Sequence, residues 1–330
     1  MKTIGILALT LGAFGWWFLP RAWFRVSSNA TPQVQISISP KSDARSVADL
    51  LAAQGIIDSS SGYVLYSFFD SSAQYPISGA YAVRRGMSYR TLARMFTIGP
   101  AREEIEIKII EGWSIKDEQE SLKGYGVDPK VFLNESKVDS LKFEFSFLQP
   151  LANGTTLEGY LFPDTYRVWK DQLPRSVIKK QLDAFASRAQ RLIEDAKRQG
   201  RSLHDIVILA SIIEKEVAKP EDRQIVAGIF WNRLRDGMPL QSDATIGYLT
   251  KSGRTRSTLD DLAIDSPFNT YRNKGLPPGP ISNPGDGALD AALHPAITSY
   301  RYFLTDAKGK TYFAKTLEEH IRNRRRAFGQ

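Results

Sequence analysis

An α+β fold is predicted: a membrane helix, then a small α/β module, then a larger mixed α/β domain with a helical, Glu-bearing core. Three observations carry this. Residues 4–20 contain no charged side chain. Short alternating runs at 34–38 and 105–110 have the two-residue period of strands and open two separate stretches of chain. After residue 172, three segments in succession carry apolar residues at helical spacing. The length of 330 residues exceeds one ordinary domain. With 42% hydrophobic and 24% charged residues, the composition excludes a mostly disordered chain and a polytopic membrane protein.

The first element is IGILALTLGAFGWWFLP, flanked by Lys2 and by Trp16, Trp17, Trp23, Arg21 and Arg25, which form an interfacial belt. Arginines between this run and Ser28-Asn29-Ala30, a poor cleavage site, favour an uncleaved anchor over residues 1–25. Positive charge is heavier after the span than before it, so charge does not settle orientation. Residues 26–33 read as a polar linker. Residues 34–102 read as the module: strand Val34–Ile38, a helix carrying Val47, Leu50, Leu51 and Ile56 on one side, a strand at 78–83, and a helix at 87–99 ended by Gly99. The second domain takes residues 103–330.

Within it, Ile178, Leu182, Phe185, Ala189, Leu192 and Ala196 recur at steps of four and three and mark a helix stopped by Gly200. Ser202 caps the next helix, which runs to the residue before Pro220. A third spans 221–237. Gly/Pro-rich, loop-like chain follows, then two short strands at 300–306 and 310–314 around Lys308-Gly309.

Cysteine is absent and the histidines are His204, His294 and His320, with no HExxH, so no metal centre is expected. No GxSxG, Walker loop or GxGxxG is present. The net charge of +8 points to an anionic partner. The C-terminal HIRNRRRAFGQ reads as a solvated helix end, and the anchor argues against nucleic acid.

The second helix holds the chemistry. With Leu203 at 0° and steps of about 100°, the aliphatic residues cover one arc, Glu214 falls at roughly 20° and Glu216 at roughly 220°. Both sit among aliphatic side chains, where an unpaired carboxyl has a raised pKa and serves as a general acid near neutral pH. The alternative is that each pairs with an arginine of a neighbouring helix, such as Arg223 or Arg233. The two lie about 160° apart, so they do not form a carboxylate pair, and periodicity does not say which one lines a cleft. The stretch 157–168 groups aromatics with Glu158 and Asp164, either as core or as a wall for stacking sugar rings. The polar-aromatic segments 241–248 and 266–271 read as loops of a saccharide cleft. The Pro/Gly run at 275–285 reads as a rigid site wall.

Taken in order, IIEGWSI (109–115), LEGYLFPDTY (157–166), LASIIEKE (209–216), the blocks 226–248 and 269–285, AALHPA (291–296) and 302–320 resemble the membrane-bound endolytic murein transglycosylase family, also called YceG-like. The resemblance implies a LysM-like module at 34–102 and a catalytic acid at the second glutamate of E-K-E, here Glu216. Val217 stands where the family has Thr or Ser, which removes one hydroxyl partner. It further implies cleavage of peptidoglycan glycan strands between N-acetylmuramic acid and N-acetylglucosamine, with 1,6-anhydro ends, limiting nascent strand length. Glu158, Tyr160, Phe162, Asp164, Gln241, Asp243, Thr245, Tyr248, Asn269, Thr270 and Tyr271 are the candidates for holding sugars. No metal or organic cofactor is implied. Cell-wall synthesis proteins are implied partners, with the domain on the extracytoplasmic side of the inner membrane. Two other readings remain: a hydrolytic glycosidase using Asp243 or Glu158 to activate water, and a non-catalytic anchored peptidoglycan-binding protein.

Overall fold

The computed structural model describes residues 32–250 and 257–329. The expected anchor at 1–25 and residues 26–31 of the expected linker lie outside the described residues, and Gln33, read as linker, already belongs to the first strand. Among the described residues no helix is long and apolar enough to cross a membrane. The chain divides into two compact units, one ending at Arg102 and the other beginning at Glu103.

The first unit runs β1 (Gln33–Ile38), α1 (Ala44–Ala53), α2 (Ser60–Phe69), β2 (Gly79–Arg84) and α3 (Tyr89–Ile98). β1 pairs antiparallel with β2, with Ile36 opposite Tyr81 and Val34 opposite Val83. Alternation then sends Ile36, Ile38, Tyr81 and Val83 into a core with Val47, Leu51, Tyr63, Leu92 and Phe96. Each helix starts on a side-chain cap: Asp43, Ser59 and Ser88 accept from the N–H groups of Ser46, Gly62 and Thr91. The sequence reading omits α2. Its SSGYVLYSFF is apolar or small almost all round, so no 3.6-residue stripe stands out.

The second unit begins with β3 (Glu104–Lys108), which pairs antiparallel with β4 (Thr165–Trp169) and sets Ile107 opposite Tyr166. The connection contains α4 (Ile115–Lys123) and α5 (Pro129–Glu135). Then come α6 (Arg175–Arg198), α7 (Leu203–Glu216), α8 (Pro220–Arg235), α9 (Asp243–Thr250), α10 (Leu259–Leu262) and α11 (Asp286–Leu293). β5 (Tyr302–Thr305), β6 (Thr311–Ala314) and α12 (Leu317–Phe328) complete it. α7 is the axis of this unit. Every residue from Ile206 to Ile213 is buried, and α6, α8, α9 and α11 pack around it. Each of its buried Ile, Leu and Val side chains contributes about 2 kcal/mol by leaving water. Ser202 and Asp205 form a reciprocal capping box at its start.

α7 stops at Glu216, short of the expected limit at residue 219. Val217 is already extended, and Pro220 disfavours helical backbone at Lys219 while opening α8. The last helical residue is therefore a glutamate whose side chain leaves the packed axis.

Candidate active site

Glu216 projects from the C-terminal end of α7 toward the turn that starts α9. Its Oε1 accepts two hydrogen bonds, from Ser242 Oγ–H at 2.5 Å and from Ala244 N–H at 3.1 Å. The residue is partly accessible, and no described residue donates to Oε2. Burial raises its pKa above the ordinary carboxyl range; the Ser242 and Ala244 donors oppose this, and the neighbouring Asp243 adds to it. A carboxyl held this way, anchored through one oxygen and with no described donor on the other, is suited to deliver a proton and take one back.

Glu214 goes the other way. Its Oε1 lies 2.8 Å from Arg223 Nη2, and its Oε2 accepts from Gly285 N–H at 3.1 Å, at the start of α11. The predicted arginine pairing thus holds for Glu214 and not for Glu216. Arg223 Nε also donates to Val217 O at 3.3 Å, which ties down the chain directly after Glu216. Arg233 pairs with neither glutamate. Buried, it donates to the carbonyls of Pro239, Leu240 and Arg301 and so holds the turn leading into Ser242.

The expected sugar-holding residues separate into two groups. Gln241, Asp243, Tyr248 and Tyr271 are at least partly exposed around the α9 turn. Asp243 Oδ1 accepts from Tyr271 Oη–H at 3.0 Å and Ser257 Oγ–H at 2.8 Å. Tyr248 packs on Phe268, ring centroids 5.3 Å apart, and burial followed by Glu158 pushes its hydroxyl up to about 12. Thr245, Asn269 and Thr270 are instead sealed in the interior, at 0%, 0% and 1% exposure, where no sugar reaches them. Asn269 Nδ2 donates to Leu262 O and Ile264 O, and its Oδ1 accepts from Tyr271 N–H. The segment 241–248, expected as a loop, is mostly helix α9.

The aromatic wall is not formed either. Tyr160 packs against Phe147 and Phe185 and reaches His204 Nδ1 at 2.9 Å through its hydroxyl. Phe162 is buried beneath the Arg188 guanidinium, 3.8 Å above its ring. Both rings are core, because the loop that carries them lies tight on α7. Gly159, at φ +86°, permits this: a Cβ there would sit 2.5 Å from Pro280 and 2.7 Å from Val207. Asp164 is exposed; its side chain accepts from Thr165 N–H and its backbone carbonyl from Ile109 N–H.

Sequence reasoning missed a buried polar group beneath this loop. Asn283 Oδ1 accepts from the N–H groups of Gly159 and Leu161, and its Nδ2 donates to Glu118, which Gln181 also contacts. Burial pushes the Glu118 carboxyl well above its ordinary range. The usable signal was Asn inside a rigid Pro/Gly run. Among the described residues no group of three His, Cys, Asp or Glu side chains could hold a metal ion.

Glu158 is buried and accepts from Ile115 N–H at 3.0 and 3.3 Å through its two oxygens. Burial, against that donor, pushes its pKa up to about 8. Its folded value lies above the unfolded one, near 4.5. Its contribution is therefore intact below pH 4.5 and is lost as pH rises through 8. Glu158→Gln, which keeps the acceptor, is expected to remove a loss of about 2 kcal/mol between pH 6 and pH 8. Urea denaturation at the two pH values checks this; equal pH dependence in both proteins would contradict it.

A model of the YceG-like family matches residues 36–326. The chain is 32% identical over 309 residues to a Bacillus subtilis protein named endolytic murein transglycosylase, covering 89% of this chain and 85% of that one. It is 29% identical over 341 residues to a Streptococcus pneumoniae protein of the same name. That match covers 94% of this chain, which spans 61% of the relative's length. A crystal structure of a yceG-like protein from Listeria monocytogenes is similar, with a TM-score of 0.60 and 29% identity over 89% of this chain and 100% of that one.

Proposed function

The chain belongs to the YceG-like family, and from that premise we infer that it is an endolytic lytic transglycosylase acting on peptidoglycan glycan strands. The observation that carries the reading is Glu216, a partly accessible carboxyl with a raised pKa, held by Ser242 and Ala244 at the end of a buried helix. Glu216 donates its proton to the oxygen between N-acetylmuramic acid and N-acetylglucosamine, and the C1–O bond breaks. The same carboxylate then removes the proton of the muramoyl C6 hydroxyl, whose oxygen closes on C1 as a 1,6-anhydro ring. The proton returns to Glu216 and no water is consumed. The partial exposure of Gln241, Asp243, Tyr248 and Tyr271 supports a role for these side chains in holding the sugars.

A hydrolase would need a second carboxylate as base. Of the two candidates, Glu158, buried and pushed up to about 8, is mostly protonated at neutral pH and poorly suited to activate water, and Asp243 Oδ1 is already engaged by the Tyr271 and Ser257 hydroxyls. Mass spectrometry of purified glycan strands digested by this protein is expected to find 1,6-anhydro-muramoyl ends. Reducing-end muramic acid would overturn the reading in favour of hydrolysis, and uncut strands would leave a binding protein.

We extend the proposal to its setting. The uncharged run at 4–20 followed by tryptophans and arginines supports a single-pass anchor in the inner membrane, with the enzyme on the extracytoplasmic side beside cell-wall synthesis proteins. There it would limit the length of nascent strands. The compact β1–α1–α2–β2 unit, with its own core, supports the LysM-like reading of 34–102.

A further inference from the structure

We propose that Ser242 is a positioning residue that keeps the reacting proton of Glu216 on Oε2, the oxygen to which no described residue donates. This rests on the reading of Glu216 as the acid. The inference follows from counting hydrogens. Ser242 N–H donates to Thr270 Oγ1 at 3.0 Å, and Thr245 Oγ1–H donates to Ser242 O at 2.8 Å. The two threonine hydroxyls lie 2.9 Å apart. Thr245 has already used its one hydrogen, so Thr270 donates to Thr245. Backbone 242, Thr245 and Thr270 thus close a ring of three hydrogen bonds with no donor left over. All three residues are at most 2% exposed, so water does not compete with the ring.

The Ser242 hydroxyl hydrogen lies outside this ring, and its acceptor is Glu216 Oε1 at 2.5 Å. Reversing that bond would leave a buried hydroxyl hydrogen without an acceptor, which costs about 1–3 kcal/mol. Oε1 therefore accepts from Ser242 and from Ala244 N–H whether Glu216 is charged or neutral. The titrating proton is confined to Oε2. The same two donors keep Oε2 in place once it is bare, ready for the proton of the incoming hydroxyl. Ser242 comes from the turn before α9, 26 residues along the chain, and supplies the hydroxyl partner that Val217 does not. Thr245 and Thr270 act one step further back, by locking the backbone of Ser242.

The test is a set of pH–rate profiles on purified glycan strands. Ser242→Ala is expected to lower kcat about 10–100-fold with KM within about two-fold, since orientation and not binding is lost. Without a donor to the carboxylate, the pKa of Glu216 rises, so the alkaline limb of kcat/KM moves up by about one pH unit. Ser242→Thr, which restores a hydroxyl, is expected to return both to the wild-type values. Ser242→Cys keeps the volume with a weaker donor; it carries the same test should the alanine variant not fold. An alkaline limb and a kcat unchanged from wild type in the alanine or cysteine variant would overturn the role given to Ser242. Glu216→Gln distinguishes the two levels: if it cuts normally, the reading of Glu216 fails, and if it is inactive while Ser242 variants are normal, only this inference fails.

Discussion

Replacing Glu216 by Gln is expected to lower glycan cleavage by about 1,000-fold or more without unfolding the protein. In the proposed mechanism one carboxyl acts twice, first as acid on the glycosidic oxygen and then as base on the C6 hydroxyl, and each such role is worth about 10²–10⁴-fold. Gln has the same shape, and its amide oxygen can accept from Ser242 and Ala244 as Oε1 does. Its amide offers no proton of useful acidity. Stability should hold or rise slightly, because burial disfavours the charged carboxylate that Gln replaces. The wild-type rate should fall as pH rises through the raised pKa of Glu216, because the acid form is then lost. Release of 1,6-anhydro ends, followed by mass spectrometry beside a thermal melt, checks both halves. Cleavage within about ten-fold of wild type in a folded variant would remove Glu216 from the chemistry.

The part of this site written along one helix was legible in the sequence. The apolar arc of α7, its Ser202 cap and the opposed directions of Glu214 and Glu216 all follow from steps of about 100°. What the steps do not contain is the partner on each side. Arg223 for Glu214 and Ser242 for Glu216 come from other elements, and only packing decides between them. The same limit explains the aromatic stretch at 157–168. Alternating aromatics look alike whether they face a cleft or a core. Their direction was set by Gly159 and Asn283, which press the loop onto α7. α9 was read as a loop because Asp, Thr and Gly within eight residues are weak helix formers; tertiary packing on α7 overrides that preference. Thr245 and Thr270 have the residue types of a sugar site and the burial of a scaffold. Residue type alone did not tell these apart.

Arg223→Ala is expected to destabilise the second unit by about 3–5 kcal/mol at pH 7.5, the range for removing one partner of a buried ion pair. Arg223 and Glu214 are 12% and 6% exposed, so solvent does little to replace the lost guanidinium. Glu214 would keep the Gly285 N–H donor but would face Glu111, whose carboxylate lies against Gly285 and disfavours a second negative charge. Burial already raises the Glu214 pKa in the intact protein, against Gly285 and Arg223, so loss of the arginine raises it further. With a folded value above the unfolded one, the variant loses stability as pH rises and recovers part of it in acid, where Glu214 takes up a proton. Denaturant titrations at pH 5 and pH 7.5 should therefore show a smaller defect at the lower pH. Adding Glu214→Gln should restore about 1–3 kcal/mol to the variant, because the uncompensated charge is then absent. Activity should fall in the single variant even where it is folded, since Arg223 also holds the carbonyl of Val217 directly behind the acid. A defect under about 1 kcal/mol, or one independent of both pH and residue 214, would show that Glu214 does not depend on Arg223 for its charge.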